Sequence, residues 1–210
     1  MKFRLITIEG NIGVGKTTLA NILSKKINAR LVLEKFAENP FLSKFYENPS
    51  QYAFSLEVFF MTERYTQQKE LVAQQDLLHT PTITDYLFSK SLLFAKVNLA
   101  KDEFELYQRL FDIVHHEVIQ PELLIYLHAP VSKLQENIKK RNRSYELHIK
   151  DDYLYSVEEA YTNYINKNNL KTLFIDASNA DFVNNDKHIE MIINIISQDI
   201  NASQSFITLP

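Results

Sequence analysis

Three glycines occur in the chain, and all lie in one stretch, Gly10-Asn11-Ile12-Gly13-Val14-Gly15-Lys16-Thr17, which satisfies G-x-x-x-x-G-K-[ST] at every fixed position. A loop wrapped around phosphates needs residues without a Cβ, so that successive N–H groups converge and the chain reaches positive φ. Lys16 offers a point charge to the β- and γ-phosphates, and the Thr17 hydroxyl is a ligand type suited to Mg²⁺. The N-terminus of a following helix, which takes in Thr18, adds partial positive charge. A nucleoside triphosphate is the expected ligand. What receives or loses the phosphoryl group must be read from other residues.

Such a loop has to sit between a strand and a helix. Before it runs Phe3-Arg4-Leu5-Ile6-Thr7-Ile8, a buried-strand pattern; after it runs Thr18-Leu19-Ala20-Asn21-Ile22-Leu23, a helical one. Further β-rich runs occur at Leu31-Val32-Leu33, Thr82-Ile83-Thr84, Leu123-Leu124-Ile125-Tyr126-Leu127 and Thr172-Leu173-Phe174-Ile175, with helical spacing between them. Five strands alternating with helices predict an α/β fold in three layers, a five-stranded parallel sheet covered on both faces. Ligands of such sheets bind at the carboxyl ends of the strands. That rule singles out Glu34 after the second strand and Asp85 after the third. Residues 1–200 read as one domain, with 201–210, polar and then weakly apolar, as a tail.

At 210 residues, 45% hydrophobic and 23% charged, the chain can bury a sizeable core. A formal charge of −3 argues against a nucleic-acid-binding protein, which carries a basic face. There is no cysteine and hence no disulfide framework. No apolar run approaches a membrane span and the first residues do not resemble a signal peptide, so no membrane partner and a cytoplasmic location are expected.

Several further residues occur in an order that resembles the deoxynucleoside kinase family, and within it the bacterial deoxyadenosine and deoxyguanosine kinases. They are Gly10 to Thr18, Glu34 with Glu38-Asn39-Pro40-Phe41-Leu42 and Phe45-Tyr46, Glu57 with Glu63-Arg64, Asp85-Tyr86, Lys90, and Arg141-x-Arg143-x-x-Glu146. The similarity runs from about residue 3 to about 182; single motifs such as R-x-R are weak, and their joint order and spacing carry the specificity. It implies a P-loop kinase fold with strand order 2-3-1-4-5, a short lid and a homodimer packed through helices. It also implies transfer of phosphate from Mg²⁺-ATP to the 5′-hydroxyl of a purine 2′-deoxynucleoside in nucleotide salvage.

The resemblance assigns Glu34 to activation of that hydroxyl, a duty suited to a carboxylate at a strand end. Glu38 is the competitor if the register differs. Tyr46 precedes Glu57 by the interval at which the family places a tyrosine on the sugar 3′-hydroxyl; it also reads as a core tyrosine. Glu57 and Arg64 lie seven residues apart on one face of an apolar helix, where buried charges require partners. A nucleobase between them would satisfy both, as would a plain ion pair. The family commonly has Gln at the position of Glu57. Ionised Glu offers acceptors only, matching the N1–H and N2–H₂ of guanine, whereas protonation would restore a donor and admit adenine.

Asp85 stands where P-loop enzymes place an acid that holds Mg²⁺ directly or through water, beside Thr17. The family has acidic-Arg-Ser here and this chain has Tyr86 instead of Arg, so a cation is missing that Arg64 or Lys90 could replace. Lys139-Lys140-Arg141-Asn142-Arg143 reads as a solvated basic face or as a lid whose Arg141 and Arg143 close over the triphosphate, with Glu146 on the sugar 3′-hydroxyl. Asn137 and Asn142 depart from the Arg and Gly common in the family. Asp181-Phe182 falls in the region of the family's adenine-binding loop, where the ring could stack on the donor base or make an ordinary apolar contact. His115-His116 read as ordinary helical histidines. Two other functions stay open: a nucleotide-binding regulatory protein with little turnover, for which Tyr86, Asn137 and Asn142 speak, and a nucleoside monophosphate kinase.

Overall fold

The computed structural model describes residues 2–36, 39–75, 80–198 and 203–209. Its centre is a parallel sheet whose strands are β1 (Leu5–Gly10), β2 (Arg30–Val32), β3 (Thr82–Thr84), β4 (Leu123–His128), β5 (Thr172–Asp176) and β6 (Gln204–Thr208), in the order β2-β3-β1-β4-β5-β6. Every pair is parallel. The expected order 2-3-1-4-5 is present, but the sheet has six strands rather than five.

The sixth strand comes from the stretch expected to be a tail. Gln204 pairs with Thr172 and Thr208 with Asp176. An edge strand needs only modest apolar content, since one side of its ladder faces solvent. Here Ile207 packs against the main core, while Phe206 stays 72% exposed and stacks on Phe174 at 4.6 Å between ring centroids. Gln204-Ser205-Phe206-Ile207-Thr208 is therefore polar enough to pass for a loop and still completes the sheet.

Strand β4 shows why helices cover both faces. Its alternating side chains divide: Leu123, Ile125 and Leu127 enter one core with residues of α1 (Lys16–Lys26), α6 (Val131–Arg141) and α8 (Asp186–Ser197). Leu124 and Tyr126 enter a second core with Leu93 of α4 (Lys90–Asn98) and Val157, Tyr161 and Ile165 of α7 (Asp151–Asn168). A strand buried on both sides is apolar along its buried length, as this one is from Leu123 to Leu127. Outside the second face, α3 (Pro49–Gln75) packs with α4 and α5 (Lys101–His115) through Met61, Ala95, Tyr107 and Phe111. The short α2 (Leu42–Glu47) rests on the start of α3 through Phe45, Ala53 and Leu56. Pro49 occupies the first helical position, where its missing N–H costs nothing. No described helix is long and apolar enough to cross a membrane.

Sequence order reverses about β1, whose neighbours are β3 and β4. This is the switch point at which a doubly wound sheet opens a crevice beyond its carboxyl ends.

Candidate active site

The glycine loop leaves β1 in a conformation that only glycine adopts cheaply. Gly10 has φ 146°, and a Cβ there would stand 2.3 Å from the carbonyl oxygen of Leu127; Gly13 has φ 84°, and its Cβ would meet the Leu134 carbonyl oxygen at 2.9 Å. Asn11, buried, fixes the loop from within. Its Nδ2 donates to the Leu154 carbonyl at 2.7 Å and its Oδ1 accepts from the Ile12 amide at 2.8 Å. Val14 is in the core, and Gly15 precedes α1 as its N-cap. Lys16 Nζ folds back to donate to the carbonyls of Gly10 and Asn11 at 2.8 and 2.9 Å. Burial, and then the charge of Lys90, lower its pKa to about 8. A phosphate anion beside it would oppose both influences and favour the charged form.

From this loop a cavity of about 600 Å³ opens, and Gly13 to Thr18, Glu34, Tyr46, Glu57, Arg64, Asp85, Arg141, Arg143, Glu146, Asp181 and Phe182 all line it, with Ile12. Gly10 and Asn11 lie behind the loop as its support. Glu38 lies outside the described residues.

Asp85, just after β3, ties the end of β2 to the start of α1. Its Oδ2 accepts from Thr17 Oγ1 at 2.6 Å and its Oδ1 from the amide of Glu34 at 2.7 Å. Two hard oxygen donors beside a phosphate loop fit Mg²⁺, which binds through one or two protein oxygens and completes its shell with phosphate and water. Among the described residues no group of three or more His, Asp or Glu could hold a metal by itself.

The carboxylate of Glu34 is held between two cations. Arg64 Nε and Nη2 reach Oε1 at 2.8 and 2.5 Å, and Lys90 Nζ reaches Oε2 at 2.8 Å. Burial alone would raise its pKa; the charges of Arg64 and Lys90 outweigh burial and hold it at about 2. Of the two sequence readings of Glu57 and Arg64, a shared nucleobase or a plain ion pair, the ion pair is absent among the described residues, and both side chains line the cavity. Arg64 Nη1 donates to Ser91 Oγ at 2.8 Å, while Glu57 accepts from Asn98 Nδ2 at 2.7 Å. Glu57 is 1% exposed, and burial, opposed by the Asn98 hydrogen bond, raises its pKa to about 7.

Both residues that the sequence offered in place of a cation at position 86, Arg64 and Lys90, reach Glu34. Tyr86 itself is fully buried and does not line the cavity. The sequence offered Lys90 only as an option, because its contact to Glu34 spans 56 residues. Glu9 was missed altogether. Wholly buried at the end of β1, it accepts from the Leu87 amide at 2.8 Å, the Tyr161 hydroxyl at 2.8 Å and the Gly10 amide at 3.2 Å. These bonds fix the turn after Asp85. A lone carboxylate in an otherwise apolar strand, next to the first loop glycine, was the signal.

Across the cavity, Arg141 and Arg143 both pair with Glu146, which is buried; Arg143 also lies 4.0 Å over the ring of Phe36. Asn142 takes φ 56° as C-cap of α6, a left-handed conformation that Asn tolerates, so the departure from Gly leaves the turn intact. Asn137 donates to the Gly13 carbonyl at 2.9 Å and so tethers α6 to the phosphate loop. The Tyr46 ring stacks on that of Tyr145 at 6.0 Å and packs against the core, as the reading of a core tyrosine expects, and it also lines the cavity. Phe182 packs within 3.6 Å of the Cβ position of Gly15, and the Asp181 carboxylate accepts from the amides of Val183 and Asn184, holding its own loop. The His115 ring lies tilted against that of Phe111 at 4.9 Å between centroids, an ordinary helical contact.

A family model described as deoxynucleoside kinase matches residues 6–201. Deoxyguanosine kinase of Bacillus subtilis is 34% identical over 192 residues, covering 89% of this chain and 93% of that protein. Deoxyadenosine/deoxycytidine kinase of the same organism is 28% identical over 97% of this chain and 96% of that one. Among solved structures, deoxyadenosine kinase from M. mycoides with bound dCTP matches with a TM-score of 0.80 at 25% identity, over 92% of this chain and 98% of that one.

Proposed function

Because the chain belongs to the deoxynucleoside kinase family and is a kinase, we propose that it transfers the γ-phosphoryl group of ATP to the 5′-hydroxyl of a purine 2′-deoxynucleoside, deoxyguanosine or deoxyadenosine. The observation that carries this reading is the position of Glu34. Its carboxylate stands where the phosphate loop meets an aromatic and acidic cavity, while its amide is anchored to Asp85.

In this account the triphosphate lies along Gly10 to Thr18, with Lys16 released from the Gly10 and Asn11 carbonyls to the β- and γ-phosphates. Thr17 and Asp85 would hold Mg²⁺, whose chemistry when bound would be to neutralise phosphate charge. The 5′-oxygen attacks the γ-phosphorus, the bond to the β–γ bridging oxygen breaks, and the hydroxyl proton passes to Glu34. A carboxylate with a pKa near 2 is a weak base. It orients the hydroxyl first and takes the proton late, once the forming P–O bond has made that proton acidic, which suits a loose transition state. Arg141 and Arg143 spread the charge of the transferring group, and Lys90 and Arg64 keep Glu34 ionised. Tyr46 and Glu146 meet the sugar, Glu57 the acceptor base and Phe182 the donor base, beside Asp181.

Charge pairing supports a nucleoside rather than a nucleotide acceptor. Arg64 and Lys90 are both engaged by Glu34, which leaves the acceptor half poor in free positive charge for a second phosphate. A panel of deoxynucleosides and deoxynucleoside monophosphates incubated with Mg²⁺-ATP tests this. The expected product is a monophosphate from a purine deoxynucleoside; diphosphates formed only from monophosphates would replace the reading.

A further inference from the structure

The two oxygens of Glu57 are not equivalent. Oε1 accepts from Asn98 Nδ2 at 2.7 Å, whereas Oε2, equally buried, has no hydrogen-bond partner among the described residues. A buried polar atom without a partner points to one supplied by a ligand. The groups that face this carboxyl come from five places: Arg64 on its own helix, Glu34 beyond β2, Lys90 and Asn98 on α4, Tyr107 on α5 and Tyr153 on α7. Arg64 and Lys90 are engaged by Glu34, and the Tyr107 hydroxyl is given to the Glu57 carbonyl rather than to its side chain. Tyr153 is hydrogen-bonded to Asn98 rather than to Glu57, which leaves Asn98 as the group that orients the carboxyl, and both Asn98 and Glu57 line the cavity.

We propose that Asn98 is a specificity-determining residue that acts through Glu57: by occupying Oε1 it leaves Oε2 to meet a ring nitrogen of the acceptor base, and the proton on Oε2 selects the base edge. This rests on the cavity being a nucleoside site. A neutral carboxyl donates from Oε2 to a ring-nitrogen acceptor while the second lone pair of Oε1 accepts from an exocyclic amine. Adenine presents that pattern, and so does cytosine in a smaller ring. The ionised carboxylate presents two acceptors, the complement of the N1–H and N2–H₂ of guanine. Burial brings both forms within reach near neutral pH.

The test is the ratio of kcat/KM for deoxyadenosine to that for deoxyguanosine, in which pH effects common to both substrates cancel. Each pH unit changes the ratio of acid to carboxylate tenfold, so between about pH 5.5 and about pH 8.5 the efficiency ratio should fall by up to about tenfold per unit. Asn98→Leu removes a hydrogen bond that favours the ionised form and should raise the ratio at neutral pH roughly tenfold. Asn98→Gln, which keeps a donor, should lie nearer to wild type. Glu57→Gln, with a fixed donor and acceptor, should favour adenine and abolish the pH dependence. A pH-independent wild-type ratio with turnover intact would overturn the inference, as would an unchanged ratio in Asn98→Leu. If that variant does not fold, a slope that persists in Glu57→Gln overturns it equally. Absence of turnover on every deoxynucleoside would instead remove the functional reading, and the inference with it.

Discussion

The amide of Glu34 donates to Oδ1 of Asp85 at 2.7 Å, so the ends of β2 and β3 are joined by the residue that also holds Thr17. One carboxylate thereby fixes the distance from the phosphate loop to the carboxylate proposed to receive the hydroxyl proton. Chemistry that needs three groups in line is built here on strand termini rather than on free loops, which favours precise positioning.

Glu34→Gln keeps the shape of this site and removes the proton acceptor together with the partner of two cations. The turnover number should fall by about 10²–10⁴ while the KM for nucleoside changes little. Steady-state kinetics check this; a loss confined to KM would make Glu34 a binding residue.

Lys90→Met leaves Glu34 with Arg64 alone. Buried charges that lose a partner are costly and shift their pKa, so the Glu34 pKa should rise and kcat should drop by about 10–100-fold, with the acidic limb of the pH–rate profile moving upward. An unchanged profile would show that Arg64 suffices.

Glu57 makes a prediction that needs no turnover. Its pKa is about 7 in the folded chain against an ordinary value of 4.5, so between these values the folded state binds more protons than the unfolded one. Its contribution to stability is fully present below the ordinary value and is lost as pH rises through about 7, an effect of about 3 kcal/mol. The difference in Tm between Glu57→Gln and wild type should therefore grow in favour of the variant from pH 5 to about pH 8. A difference that stays constant would mean that Glu57 is ionised throughout.

What the sequence made legible follows from the range of the contacts involved. The phosphate loop could be read because its function is local: glycine φ values, one lysine and one hydroxyl within eight residues. Strand ends were readable by the same logic, and they delivered Glu34 and Asp85. The hold of Lys90 on Glu34, of Asn98 on Glu57 and of Glu9 on the Leu87 amide depends on segments brought together by folding, across 56, 41 and 78 residues. Residue type alone does not reveal such partners. Strand β6 was hidden for a different reason, since a half-covered edge needs few apolar residues.

Truncation after Ser203 tests that strand. Removing residues 204–210 takes away the ladder to β5, the ring over Phe174 and the buried Leu209, so Tm should fall by several degrees and the newly exposed edge of β5 should promote association. An unchanged Tm with a monodisperse scattering profile would make β6 dispensable.

The measurement that bears most directly on the central claim is the position of the new phosphate ester. Deoxyguanosine and deoxyadenosine are each incubated with Mg²⁺-ATP and the protein, and the products are examined by ³¹P–¹H correlated NMR, with Lys16→Ala as control. The account predicts a single monoester whose phosphorus couples to the 5′-methylene protons, and no product with Lys16→Ala. Phosphate on the 3′-oxygen, or equal product from Lys16→Ala, would contradict it.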